Sequence, residues 1–388
     1  MAITRLGPNQ DITAAKIAGQ INFKNLIING DMSIAQRGTS ASSLTTGGYS
    51  THDRWIRGMA NAGTWTQSQD TDVPTGQGFA KSLKLDCTTA STPIAADGNL
   101  NIGMRFEGQM LQQLKYGTSN AESLTLSFWV KSTKTGTFYA EFYNFDDTRH
   151  ISKSYTVNAS DTWEKKTITF EGDIAGTITN DNTSSLYLLM WLAAGSNYTS
   201  GTHTGVWEAT VNANRLPGQV NCADSTSNNF YLTGVQLEAD TSASDFEFLP
   251  KDINIQRCMR YYQIYNYMGN PGSEFGYSLP IRQSSAGNKQ WLITTTLPIG
   301  VRTSSATLSW DAARTGSAGS AYDGSWLYET TSASNRWATP TNTFQSKADG
   351  DTYSQLFNSI SSVITDNTNF TSGETTTFSS RLIVDAEL

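Results

Sequence analysis

The feature that most constrains this chain is an alternation of apolar and polar side chains with a period of two, repeated in run after run. In Ser123–Lys131 (SLTLSFWVK), Leu124, Leu126, Phe128 and Val130 fall on one face of an extended chain, as in a half-buried strand. Thr137–Phe145 (TFYAEFYNF) follows a Lys-Thr-Gly turn, so the two runs read as a hairpin. Trp163–Phe170 (WEKKTITF), Ser185–Leu192 (SLYLLMWL) and Phe230–Glu238 (FYLTGVQLE) continue the series up to Pro250. Turn-rich gaps separate the runs, the pattern of a sandwich or jelly roll. Past about Tyr265 a second β module begins, with Gln290–Leu297, Ala306–Trp310, Ser325–Glu329 and Thr375–Glu387 as its clearest strands.

Two segments read as helix instead. Glu107–Tyr116 (EGQMLQQLKY) carries a narrow apolar stripe of Met110, Leu111 and Leu114. Ile253–Tyr262 (INIQRCMRYY) places Ile255, Met259 and Tyr262 on one face and reads as a connector between the β modules. Residues 1–24 form a polar leader, in which Asp11 is placed to cap a helical turn or two. The predicted fold class is all-β. Its parts are a leader (1–24), a galactose-binding-like jelly-roll sandwich (25–250), a short connector helix (251–264) and a second, C-terminal β-sandwich (265–388).

Composition agrees. Only 16% of the residues are charged, against about 25% in ordinary globular chains, which disfavours long surface helices and charge-driven disorder. The formal net charge of -7 does not suit a nucleic-acid or anionic-membrane partner. No run of 18 apolar residues occurs, and the start MAITRLGPNQ lacks the apolar core of a signal peptide, so synthesis in a cytoplasm without membrane insertion is expected. Three scattered cysteines, Cys87, Cys222 and Cys258, give neither a disulfide framework nor a CxxC metal knuckle.

Catalytic signatures are missing. The three histidines, His52, His150 and His203, lie in no HExxH, and neither a GxSxG elbow nor a phosphate-binding glycine loop is present. Asp147-Thr148-Arg149-His150 reads as a polar loop, and His52-Asp53 as a device that places Arg54 and Trp55 at a strand entrance. Glu107, Glu141, Asp146, Asp147 and Glu164 could supply the opposed acids of a glycosidase, but a chain of this size offers such pairs anyway. The aromatic residues are more informative. Trp129, Trp191 and Trp291 sit in apolar runs and read as core. Tyr322, Trp326 and Trp337 lie among Gly, Ser and Asn, where both surface glycan binding and core packing are open. Asp31, at the first strand's end, and Glu238, at the last, read either as ligands of a structural calcium or as a turn and a solvent-facing acid.

Taken in order, Asn25–Gly38 (NLIINGDMSIAQRG), Asp53-Arg54-Trp55, Glu107–Thr118, Leu124–Gly136, Phe230–Glu238, Phe246–Pro250 and Gln256–Tyr262 resemble the tail fibres and related virion surface proteins of bacteriophages, especially those of marine and cyanobacterial hosts. The likeness covers about Asn25 to Tyr262. It implies a carbohydrate-binding jelly roll that often carries calcium near its first and last strands, and a homotrimeric fibre. Unlike the sugar-module pattern, this chain has no acidic residue directly following Met32, where Ser33 stands. On this likeness the chain is expected to be a non-enzymatic tail fibre or spike of a virion assembled in the host bacterial cytoplasm. Asp11, Ile12, Lys16 and Ile17 of the leader would dock it on other virion proteins. Host surface polysaccharide or lipopolysaccharide would be its target. A capsid decoration protein without receptor role is the alternative, and a tail-borne glycan depolymerase a further one.

Overall fold

The computed structural model describes residues 24–267, the strand segments that follow between 277 and 385, and residues 386–388. The chain divides into two compact units, Met1–Asn254 and Ile255–Leu388. In the first, the alternating runs become two antiparallel sheets. One has six strands in the order β1 (Ser40–Leu44), β4 (Thr64–Asp70), β5 (Ser82–Thr89), β13 (Asn229–Glu238), β7 (Leu124–Ser132) and β10 (Glu164–Phe170). The other has seven: β12 (Glu208–Ala209), β9 (Arg149–Val157), β8 (Gly136–Asn144), β11 (Ser184–Ala194), β6 (Asn99–Glu107), β3 (Ile56–Ala60) and β2 (Gly48–Tyr49). Strands distant in sequence are neighbours in both sheets, as in a jelly roll.

The core lies between the sheets and is filled by the alternate residues of each strand. Leu124, Leu126, Phe128, Val130, Phe230 and Leu232 come from one sheet, and Phe138, Phe142, Ile151, Leu186, Leu188 and Met190 from the other; all are shielded from solvent. Rings meet across the gap, with centroids 4.8 Å apart for Phe142 and Phe170 and 5.1 Å for Phe128 and Tyr155. Burying an apolar side chain of this size is worth about 1.5–3 kcal/mol, so this paired layer is the main source of the unit's stability.

The segment before β1 closes the sandwich with polar groups. Leu26 N–H donates to Leu237 and Val235 N–H to Gly30, so residues 26–30 run beside β13. Gly30 passes so close that a Cβ there would lie 2.1 Å from the Val235 carbonyl oxygen. Asn29 takes a left-handed φ of 59°, and its amide donates to the carbonyls of Ile34 (2.8 Å) and Asp53 (3.1 Å). The Trp55 indole donates back to Asn29 (3.0 Å), and buried Asp53 accepts from the Gln36 backbone (2.8 Å). The short motifs Asn29-Gly30-Asp31 and Asp53-Arg54-Trp55 therefore meet in one structural junction.

Two local expectations change. Glu107–Tyr116 is not an α-helix but two 3-10 turns, Gly108–Met110 and Gln112–Leu114. The buried anchors Leu111 and Leu114 are three residues apart, the repeat of a 3-10 turn, and Lys115 ends it in the left-handed region (φ 53°). After the single-turn α1 (Ser196–Thr199), the connector helix α2 spans Lys251–Met259, starting just past Pro250 and ending earlier than expected, because Tyr262 already opens a strand.

That strand, β14 (Tyr262–Tyr267), belongs to the second unit. It lies with β15 (Tyr277–Leu279), β18 (Thr307–Trp310), β19 (Trp326–Glu329) and β20 (Asn335–Arg336) in a sheet organised on β23 (Thr376–Asp385). A four-stranded sheet is made by β16 (Ile281–Gln283), β17 (Lys289–Val301), β22 (Phe357–Asp366) and β21 (Thr343–Gln345). The protein is thus all-β, a jelly-roll-type sandwich followed by a short helix and a second antiparallel β unit.

Candidate functional site

An antiparallel sheet in a sandwich normally turns a polar face to water. The seven-stranded sheet does not. The residues alternating with its core positions form three cross-strand rows. His150, Tyr143, Tyr187 and Arg105 make one; Ser152, Glu141, Leu189, Gly103 and Ile56 the next; Ser154, Tyr139, Trp191, Asn101 and Gly58 the third. The outer face is therefore aromatic, with one acid and one guanidinium among the rings. Glycines at 58 and 103 keep its floor low between them.

Residues 195–221 lie over part of this face. Leu216 N–H donates to Tyr198 (2.9 Å), Tyr139 Oη to the Pro217 carbonyl (2.8 Å) and Ser152 Oγ to the Arg215 carbonyl (2.6 Å). Leu216 completes a small apolar cluster with Tyr139, Tyr187, Leu189 and Trp191, against which Ile56, Tyr143 and Tyr198 pack. The segment delivers Arg215 onto the aromatic floor. Its guanidinium carbon is 5.1 Å from the Trp191 ring centre and 5.6 Å from those of Tyr143 and Tyr198. Arg215 Nε and Nη2 donate to the two oxygens of Glu141 (2.7 and 2.9 Å), and the Trp191 indole N–H donates to Glu141 Oε2 (2.7 Å).

Glu141 has no exposed surface. Burial by itself would lower the Arg215 pKa, but the adjoining carboxylate more than reverses this and holds the guanidinium's pKa above its ordinary value. The pair is a fixed anchor, so Glu141 holds the cover in place. Burial pushes the Tyr187 phenol up to about 12, against the pull of Arg105 and Arg215, so it is a neutral hydroxyl at physiological pH.

Beyond the covered part the rings are open. Phe145, just past β8, is 38% exposed; Tyr143 and Arg105 are half-buried, as is Tyr198, which belongs to the cover itself. Phe145 lies nearly parallel to Tyr187 (14°, 6.0 Å) and edge-on to Tyr143 (5.1 Å). The Arg105 guanidinium sits 5.2 Å from Tyr187 and 5.5 Å from Phe145. This strip of flat rings with the Arg105 guanidinium beside it suits a ligand with C–H faces and many hydroxyls: the rings stack on the first and the guanidinium binds the second.

The residues expected from sequence fall elsewhere. Asp31 accepts from Ser33 Oγ and Asn254 Nδ2 (both 3.1 Å). Glu238 accepts from Ser244 N–H and Oγ (2.9 and 2.6 Å) and Gln236 Nε2 (2.9 Å), with Lys24 Nζ 3.7 Å away. Each has its own set of protein donors. Among the described residues no three His, Cys, Asp or Glu side chains gather as a metal set. Trp326 opens β19, paired with Ser379, and its side chain lies outside the described residues, as do Tyr322, Trp337 and the leader residues Asp11, Ile12, Lys16 and Ile17. Trp191 is buried, but under Arg215 on the outer face, not in the inter-sheet core. Trp129 is half-buried on the outer face of the other sheet. The missed residues, Tyr143, Phe145, Tyr187, Arg105 and Arg215, left one trace in the sequence: strands β8 and β11 are apolar or aromatic on both faces.

No family model matches the sequence, and no curated protein matches it. Solved structures do. One is the enzymatically active domain of tailspike protein 4 of bacteriophage CBA120, at 13% identity, TM-score 0.29, over 55% of this chain and 21% of that one. Another is the family 11 carbohydrate-binding module of a cellulosomal cellulase of Clostridium thermocellum, at 12% identity and TM-score 0.27, over 56% and 96%. A third is the CBM22-1 xylan-binding domain from Paenibacillus barcinonensis, at 14% identity and TM-score 0.24, over 53% and 94%. This chain thus spans about a fifth of the tailspike and nearly the whole of each module. Likenesses of this size leave function to be argued from the side chains.

Proposed function

We propose that the protein is a non-catalytic adhesion protein whose first β unit binds a glycan along the open aromatic strip of the seven-stranded sheet. The observation that carries this reading is the strip itself: Tyr143, Phe145 and Tyr198 with the Arg105 guanidinium beside them, where water-facing polar side chains belong. Glu141, the acid nearest the rings, is spent in the Arg215 pair, which supports binding without bond cleavage. The sequence likeness to bacteriophage fibres adds the setting: a homotrimeric tail fibre or spike, assembled in the host cytoplasm, docked on the particle through residues 1–24 and meeting bacterial surface polysaccharide or lipopolysaccharide.

The test is a printed array of bacterial surface polysaccharides, followed by calorimetry on the polysaccharide retained. Tyr143→Ala with Phe145→Ala is expected to weaken binding by about tenfold or more, ~1.4 kcal/mol, while the melting temperature moves little. Unchanged affinity in a folded double variant would remove the strip from the site.

A further inference from the structure

The outer face of the six-stranded sheet carries a second arrangement, built from different residues. Its register sets Trp163, Lys131, Tyr231, Lys84 and Ser68 side by side across five strands, because Lys131 pairs with Tyr231, Tyr231 with Lys84 and Lys84 with Ser68, and Trp163 directly precedes Glu164, which pairs with Val130. One step along, Trp129 faces Lys165 on one side and Thr233 on the other. Trp129 and Trp163 are therefore diagonal neighbours on one face, about 7–8 Å apart in backbone position and within reach of large side chains. Both are half-buried.

The polar groups between them are held in fixed positions. Lys131 Nζ pairs with Asp72 and, at 3.0 Å, with Asp161. The Trp163 indole N–H donates to Asp72 Oδ1 (2.9 Å), which fixes the indole's edge. Lys131 and Lys84 sit over the Tyr231 ring at 4.5 and 5.4 Å, and Trp163 meets that ring edge-on at 6.1 Å. Lys84 is also 3.9 Å from Asp86. Tyr231 is thus capped, while the two indoles keep open surface beside ion-paired donors and acceptors.

We propose that this face is a second saccharide-binding site, independent of the seven-stranded face, and that its ligand is a neutral, hydroxyl-rich glycan chain lying across Trp129 and Trp163. The charges choose the class. Both ammoniums in the row already face carboxylates, and all three partners are open, with 65% of the side-chain surface exposed at Asp161, 41% at Asp72 and 42% at Asp86. A polyanion would meet those three acids, against one exposed ammonium, Lys165, beside Trp129. A neutral sugar finds a carboxylate and an ammonium side by side, the acceptor and donor that neighbouring hydroxyls need. A protein partner would need an interface core depleted of charge, and here ion pairs stand between the rings.

Three full-length chains decide the matter: wild type, Tyr143→Ala/Phe145→Ala, and Trp129→Ala. A Trp163→Phe chain, which keeps an aromatic ring but loses the bond to Asp72, guards against misfolding of the last. Each is read on the polysaccharide array and by calorimetry with the neutral polysaccharides retained. The expected result is two binding events in wild type: Tyr143→Ala/Phe145→Ala weakens one and leaves the other, and Trp129→Ala and Trp163→Phe each weaken that other about tenfold, with the folded signal intact. Loss of all binding in the Tyr143/Phe145 variant overturns this second site and leaves the first. Loss only in the tryptophan variants supports this site and removes the first. Retention of acidic polysaccharides alone, no retention by wild type, or a change in oligomeric state with Trp129→Ala while saccharide binding holds, each overturns the proposal.

Discussion

Glu141 accepts three hydrogen bonds with no exposed surface, and Arg215 spends Nε and Nη2 on it. Removing one member of a buried pair leaves the other charge unsolvated, at a cost of about 3–5 kcal/mol. Glu141→Gln and Arg215→Met are each expected to lower the denaturation midpoint by that order, and the double change Glu141→Leu/Arg215→Met to recover part of the loss, as urea titrations would read. His52 makes a separate residue-scale prediction. It has no exposed surface and shares a hydrogen bond with Thr51 Oγ1 (2.9 Å). Burial, only partly opposed by a backbone contact at Ser82, drops its pKa from 6.5 to about 3. The unfolded chain takes up this proton below about pH 6.5 and the folded chain does not. His52 therefore withdraws stability as pH falls from 6.5 towards 3, by up to about 1.4 kcal/mol per pH unit. His52→Gln should flatten the stability curve across that window, and an unchanged slope would contradict the assignment. None of this is visible in sequence, since Arg215 is 74 positions from Glu141 and neither residue has a local pattern that marks it.

At the scale of elements, much was legible. The period of two fixed which residues of β7 and β8 face the core, because a register slip of one residue would expose them all. What alternation does not reveal is the fate of the opposite face. Trp191 reads as core by its apolar neighbours, yet it lies on the outer side, where Arg215 covers it. The clue was present: Tyr139, Glu141 and Tyr143 alternate with Phe138, Ala140 and Phe142, so β8 has no ordinary water-facing side. The Glu107–Tyr116 segment was misread because an apolar stripe at i and i+3 suits a 3-10 turn as well as a helix. The thread at residues 26–30 yields its own prediction. A Cβ on Gly30 would collide with the Val235 backbone, which no rotamer relieves. Gly30→Ala is expected to cost several kcal/mol, in the range of exceptional single substitutions, and thermal melting of the full chain would register it; a melt like the wild type's would mean that the thread can shift away from β13.

At the scale of the molecule, the first unit presents two aromatic faces on opposite sheets of one sandwich. If the chain is a trimer, each particle multiplies both sites. Sedimentation of the full chain is expected to give three copies, and a monomer at high concentration would count against the fibre setting. Linked sites convert weak single contacts into firm attachment through effective concentration. Avidity should therefore fall more steeply than single-site affinity when either strip is damaged. Whole-cell adsorption compared with calorimetry of the same variants would measure the difference.

The junction of Asn29, Asp53 and Trp55 has a further implication. It works as a buckle, fastening the leading thread to the strand that enters the seven-stranded sheet, and its Arg54 donates to the carbonyl of Arg105 at the edge of the first strip. That part of the recognisable signature belongs to the chassis, whereas Arg105, Tyr143, Phe145 and Trp163 of the two aromatic faces lie outside the recognised segments. Two chains sharing the buckle can therefore differ in what their outer faces bind, and kinship traced through it says what a protein is built like before it says what that protein holds.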